Sequence, residues 1–518
     1  MARHTHFPLV FVSLASTAVA GHASGQGCDS SDIFGPVLQT LGTGQQPLGI
    51  ALGDYNNDGL LDVGVANSGS TSFRAFRGIG GGMFGLLTSL GATAYNTGVI
   101  FGDTTGDGID DIVLIGDDDI PFQEDGQLVS ARSLGFGTFE FVSLEATQTR
   151  EATDIRLADL NDDGILDAVV AGSSGAANPG VSILFGDGGG QFGNPSILFS
   201  PSGRGSLAVG DINNDGVLDI VTSGFDSGSI GVHIGLGGAT FADEVSLFPV
   251  GGRRVELADM NNDGNLDIVS CTTNMAQVLL GNGDGSFGGA IQSLGAPGSN
   301  GSALAVGDLN GDGNQDVVIA DTVYFRGTDQ SFGNDSITVF FGNGDGTMEP
   351  GSSYPTLSQP TSVKLGDFDG DGDLDVIYSS RGSNSLQIRL NQCIVGPTIA
   401  VQPAALTVVD AGSQATLSVM LGDVGRPPIS FQWMRNGEPM SDGGTISGTT
   451  TDTLSIGEAT SVDSDVYTVV VTNEGGQMTS DPGGLLVRQV CIADMNNDGS
   501  LNFFDVSAFL SAFAAGCP

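Results

Sequence analysis

Lysine is almost absent: Lys364 is the only one in 518 residues. With 16 Lys+Arg against 60 Asp+Glu, the formal net charge is −44. A phosphate backbone would be repelled, which excludes nucleic acid as a partner. The same shortage removes the basic patch that an anionic membrane surface attracts. Histidine is scarce too, limited to His4, His6, His22 and His233. So few imidazoles argue against a His-rich zinc site and against a Ser-His-Asp triad. No apolar run approaches the ~20 residues of a spanning helix, so no integral membrane span is expected. Tryptophan occurs once, as Trp433, and cysteine five times.

Glycine, by contrast, numbers 83 and shows no collagen-like period. So much glycine disfavours long helices and favours many tight turns. Residues 1–20 read as a secretory signal peptide. Arg3 supplies a short basic start, Phe7 to Ala20 a small apolar run, and Ala18-Val19-Ala20 a cleavage site. Export predicts a secreted, extracellular protein in an oxidising compartment with calcium at hand.

A nine-residue pattern, D-x-[NDT]-x-D-G-x-x-D, recurs seven times. Successive starts, from Asp54 to Asp367, lie 49, 56, 52, 48, 49 and 59 residues apart. Short apolar segments flank each copy, such as SLAVGD before and DIVTS after the fourth, and a Gly-rich turn such as LFGDGGGQFG follows. Four short strands per ~50 residues predict one propeller blade per repeat. The expected fold is therefore mainly β, with a seven-bladed β-propeller over 28–393. The seventh repeat lacks a fourth strand, while residues 28–41 form an orphan strand whose Phe34-Gly35 aligns with Phe192-Gly193 and Phe287-Gly288. That strand should complete the seventh blade, bringing Cys28 beside Cys393 as a disulfide clasp.

Alternate oxygen-bearing residues around an invariant glycine suit calcium, which takes 6–8 oxygen ligands from a flexible loop. Side chains at positions 1, 3, 5 and 9 and the carbonyl at position 7 form the expected set. The first loop offers Asp54, Asn56, Asp58, Leu60 and Asp62, and the second Asp103, Thr105, Asp107, Ile109 and Asp111. Asp159, Asn161, Asp163, Ile165 and Asp167 form the third, and Asp211, Asn213, Asp215, Val217 and Asp219 the fourth. The fifth has Asp259, Asn261, Asp263, Asn265 and Asp267, and the sixth Asp308, Asn310, Asp312, Asn314 and Asp316. The seventh has Asp367, Asp369, Asp371, Asp373 and Asp375. Thr105 marks the second site as the weakest. No EF-hand helix follows any of these loops; each joins two strands.

These loops and flanks resemble the FG-GAP/VCBS repeats of integrin-alpha-like propellers. The resemblance implies calcium on one face of the ring and ligands often bound on the other. It implies no single activity.

Composition shifts at Pro397. FQW (431–433), TLSI (453–456) and DVYTVVVTN (465–473) resemble an immunoglobulin-like domain over 397–488. Trp433 is its expected core tryptophan and Tyr467 its tyrosine corner, with Val419 and Val469 where a disulfide usually stands. Residues 491–518 resemble a single-copy dockerin half ending in Gly-Cys-Pro. Asp494, Asn496, Asp498, Ser500, Asn502 and Asp505 fall at the positions of a calcium loop, followed by a helix. Cys491 and Cys517 bracket it and are expected to pair. The tail is either an anchor, with a cohesin-like or cell-surface partner, or a structural cap.

The function expected is adhesion or recognition of an extracellular carbohydrate or protein ligand, without catalysis. The alternative is a polysaccharide lyase or hydrolase on the same scaffold. Two insertions, 116–127 and 321–335, lie opposite the calcium hairpins. Tyr324, Phe325 and Arg326 in the second are the candidate ligand contacts. Cys271 is expected to pack as a small apolar residue.

Overall fold

The computed structural model describes residues 28–488 apart from 29, 32, 71, 92–94, 118–125, 136, 174–179, 194, 201–204, 225–228, 248–251, 273–274, 295–300, 323–334, 394–396, 423–428 and 474–475, together with 503–515. Seven four-stranded antiparallel sheets follow one another. Their first strands are Pro47–Gly53, Tyr95–Gly102, Arg150–Ala158, Ser206–Gly210, Arg254–Ala258, Gly301–Gly307 and Pro360–Gly366. A nine-residue loop joins each first strand to the second. Asp62, Asp111, Asp167, Asp219, Asp267, Asp316 and Asp375 each open a second strand and close its loop.

Six sheets take their four strands in chain order. The seventh pairs Pro360–Gly366, Asp375–Ser380 and Ser385–Arg389, then borrows Gln39–Gly42 from the N-terminal region. Gln39 stands opposite Ile388 and Gly42 opposite Ser385. Phe34 forms a further bridge with Asn391. Cys28 and Cys393 are joined by a disulfide at a Cα–Cα distance of 5.6 Å. The orphan segment thus completes the last sheet, as its alignment predicts.

One apolar cluster fills each junction between consecutive sheets. Ala51, Phe73 and Phe101 lie between the first and second, and Leu160, Val181 and Leu207 between the third and fourth. Ile50, Val65, Phe84, Phe368 and Ile388 fill the junction between the seventh and the first. No sheet can bury both faces alone, so these shared clusters make up the core. The residue at position 2 of each loop plugs a junction: Tyr55, Thr104, Leu160, Ile212, Met260, Leu309 and Phe368 are all buried. Cys271 is fully buried in the cluster between the fifth and sixth sheets, and burial pushes its thiol up to about 12.

Residues Ile399–Arg488 build a separate β unit. Its larger sheet runs Leu406–Asp410, Gly483–Arg488, Asp465–Asn473, Ser430–Arg435 and Glu438–Pro439, the first pair being parallel. A smaller sheet holds Ala415–Ser418, Thr453–Ile456 and Ile446–Ser447. Trp433 is fully buried among Val419, Leu454 and Val469. Val419 and Val469 thus pack in the core where an immunoglobulin-like domain usually carries a disulfide, as expected. The Tyr467 hydroxyl donates to the Asp463 carbonyl oxygen at 2.9 Å, closing the expected tyrosine corner. One helix, Phe503–Ala514, follows; Phe503, Phe509, Leu510 and Phe513 are exposed on it and Asp505 is buried. Among the described residues, no helix is long and apolar enough to cross a membrane.

Candidate functional site

The seven loops share one hydrogen-bond scheme. The carboxylate at position 1 accepts the glycine N–H of position 6, at 2.7–3.0 Å in every loop. It also accepts the N–H of position 5 in every loop. The Asp at position 5 in turn accepts the N–H of position 7. Backbone donors therefore set the direction of these carboxylates, and each loop folds around them.

Position 6 requires glycine because its φ is positive, from 82° in Gly108 to 96° in Gly372. Position 4 has positive φ too, and the sequence reading passed over it. Asn57, Gly106, Asp162, Asn214, Asn262, Gly311 and Gly370 all occupy the left-handed region. Only Gly, Asn and Asp visit that region readily, and only they occur here. That restriction was the available signal.

The Asp at position 9 pins each loop to its sheet. One oxygen of Asp375 accepts the Phe368 N–H and the other the Asn391 N–H, at 2.9 and 2.7 Å. Asp111, Asp167, Asp219, Asp267 and Asp316 are held in the same two-sided way. All seven are essentially fully buried. Burial pushes Asp62, Asp316 and Asp375 up to about 7, against the pull of the backbone N–H donors. Burial also raises Asp167, Asp219 and Asp267. A cation beside such carboxylates reverses this cost by favouring their charged form.

The donor set suits a hard cation. Oxygens of Asp367, Asp369 and Asp375 converge within 4.8 Å of one another, the one such acidic triplet among the described residues. In the second loop the Thr105 hydroxyl is buried without a hydrogen-bond partner, an orphan that a cation would satisfy. Elsewhere position 3 is Asn. Asn213, Asn261 and Asn310 donate to the position-5 carboxylate, while Asn56 donates to Asp62. The amide thus neutralises part of the repulsion that the acids would otherwise feel. Neighbouring loops are also linked: Asn214 donates to Asn265, Asn262 to Asn314, and the Asp54 N–H to Asp110.

Several predicted site residues lie outside the described residues. They are Tyr324, Phe325 and Arg326, the tail's Asp494, Asn496, Asp498, Ser500 and Asn502, and Cys491 and Cys517. His233 is fully buried, 3.5 Å from Glu244.

A second feature was not foreseen. The first strands of all seven sheets line a cavity of about 350 Å³. Asp154, Arg156, Arg254, Glu256 and Lys364 gather in its wall.

Among known families, the FG-GAP-like repeat matches residues 54–114, 159–222, 259–319 and 321–378. All seven loops fall inside these stretches. The immunoglobulin I-set domain matches 397–482. The chain thus carries four FG-GAP-like matches and one I-set domain. No curated protein matches it. Among solved structures it is similar to an Agrocybe aegerita lectin described as recognising non-reducing terminal N-acetylglucosamine. Identity is 20% over 65% of this chain and 86% of that one, with a TM-score of 0.41. It is also similar to the titin M3 domain, at 23% identity over 18% of this chain and 97% of that one, with a TM-score of 0.16. Scores this low carry no functional inference.

Proposed function

We propose that this chain is a secreted, calcium-stabilised recognition protein, built on a seven-bladed β-propeller with an immunoglobulin-like spacer and a dockerin-like tail. It binds an extracellular carbohydrate or protein ligand through the propeller and leaves that ligand chemically unchanged. Seven calcium ions occupy the loops, held by the side chains at positions 1, 3, 5 and 9 and the carbonyl at position 7. An eighth sits in the tail, which anchors the protein to a cell-surface partner. The observation that carries the reading is the recurrence of one acid-rich loop at seven equivalent junctions, in a series of sheets whose last is completed by the N-terminal strand. Carboxylates held in place by backbone donors cost repulsion unless a cation offsets it. Calcium is then scaffolding, and the face opposite the calcium loops is left for recognition.

The test is a pull-down of the mature chain on polysaccharides and cell-wall material, with and without chelator. Saturable, calcium-dependent capture of an unmodified ligand is expected. Release of cleaved or unsaturated sugar would overturn the reading in favour of an enzyme.

A further inference from the structure

The central cavity holds a charge cluster for which the loops give no account. It stands apart from the proposed role of calcium and of the tail, since it needs only the seven first strands. Three of the chain's 16 basic residues meet there, including its single lysine. They face two carboxylates, so the cluster keeps one surplus positive charge inside a chain of net charge −44.

Nearly every charged atom in the cluster is already engaged. Arg156 Nη1 donates to Asp154 Oδ1 and Nη2 to Glu256 Oε1, both at 2.8 Å. The second contact passes over the fourth sheet to join the third and fifth. Asp154 Oδ2 accepts the Ser206 hydroxyl at 2.7 Å and the Leu207 N–H at 3.1 Å. Arg254 Nε donates to the Ser302 carbonyl at 2.9 Å and Nη1 to the Gly205 carbonyl at 3.3 Å. Among the described residues, two of the cluster's side chains keep a terminal atom that matters for a ligand. Lys364 Nζ has no hydrogen-bond or ion-pair partner, and Glu256 Oε2 accepts no donor. Burial holds the Lys364 amine below the ordinary lysine range, with Glu256 opposing that shift. A half-buried cation with no hydrogen-bonded or ion-paired anion carries a desolvation cost that an anion in the cavity would offset.

We propose that the cavity is a binding site for a small hydroxylated monocarboxylate, an acidic sugar, whose carboxylate pairs with Lys364 and one of whose hydroxyls donates to Glu256. Charge selects a monoanion. Arg254 gives donors to neutral carbonyls and Lys364 keeps its ammonium, but with Asp154 and Glu256 opposite them the cluster's net surplus is one positive charge, which matches a carboxylate better than a dianionic phosphate. The unspent acceptor on Glu256 selects a ligand with a hydroxyl to give. Thr97, Thr153 and Thr361 reinforce this, because each donates to a backbone carbonyl and keeps only acceptor capacity. A volume near 350 Å³ lies at the lower end of the usual small-molecule range.

The test is calorimetric titration of the full mature chain, in calcium, with D-galacturonate, D-galactose and acetate. Galacturonate should bind saturably, galactose should not, and acetate should compete weakly. Lys364→Met should weaken galacturonate about tenfold or more without lowering the melting temperature. Glu256→Gln, which keeps the shape and leaves Lys364 in place, should weaken galacturonate and spare acetate. Galactose binding as well as galacturonate, an unchanged affinity in both variants, or no heat from any of the three would overturn the proposal.

Discussion

The Thr361 hydroxyl of the seventh sheet donates to the Pro47 carbonyl oxygen of the first at 2.7 Å, across 314 residues of sequence. It is one link in a belt of contacts between first strands. Thr97 donates to the Ala152 carbonyl, Ser206 to Asp154 and Ser302 to the Pro360 carbonyl. Arg254 reaches both ways, to Gly205 and Ser302. Only the junction of the first and second sheets lacks such a bond among the described residues. There a Cβ added to Gly49 would come within 3.0 Å of Gly98 Cα, so two glycines let the backbones meet directly. Thr361→Val keeps the side-chain shape and removes the donor, leaving the Pro47 carbonyl short of a partner. It should cost about 1–2 kcal/mol in urea unfolding.

The Cys28–Cys393 disulfide pins the same closure by a covalent route. Its cysteines lie 365 residues apart, so breaking it frees a very long loop in the unfolded chain. Replacing both by Ser should cost about 4 kcal/mol or more on the chain-entropy argument. The melt of the variant, set beside the reduced parent, reads this directly. Cys271 serves as the internal control. Its buried, elevated thiol should stay unlabelled by iodoacetamide until denaturant opens the fifth and sixth sheets.

The seventh loop differs from five others in carrying Asp369 where they have Asn. Its extra carboxylate tightens the acidic triplet with Asp367 and Asp375. Asp369→Asn should therefore stabilise the calcium-free protein, by removing like-charge repulsion, and reduce the stabilisation that calcium adds. Scanning calorimetry with and without calcium separates the two effects. A variant destabilised equally in both conditions would show that Asp369 serves packing alone.

How much of this was legible beforehand follows from range. The nine-residue period exposed the loops because each is local, and the missing fourth strand exposed the closure because the orphan at 28–41 matched it. Trp433 and Tyr467 were readable for the same reason: their neighbours sit in short, recognisable strings. Position 4 was readable in principle, yet its Asn, Asp and Gly looked like ordinary turn composition. The cavity cluster was not. Asp154 and Arg156 share one strand, Arg254 and Glu256 another, and Lys364 sits on a third, each strand about two repeats from the next. Only the arrangement of the first strands brings them together, and no sequence window contains two of those sheets' contributions.

Lys364 makes that hidden cluster measurable. The side chain is half-buried against the cavity, and desolvation lowers its amine from the ordinary value of 10.5. The native state therefore releases this proton more readily than the unfolded chain does. Below the native pKa both states hold it, and the cost of the buried charge is fully present. Between the native pKa and 10.5 the unfolded chain holds more protons, so stability rises with pH. Above that range both forms are neutral and the cost is gone. Lys364→Met should thus be more stable than the parent at pH 7, and the gap should narrow as pH climbs toward 10.5. Taking the difference between variant and parent cancels the tyrosines that titrate in the same range. Urea midpoints of the two proteins at pH 7, 8.5 and 10 check it. A gap that stays constant with pH would mean the amine is as well solvated in the fold as in the unfolded chain, and would remove the reason for the cavity to seek an anion.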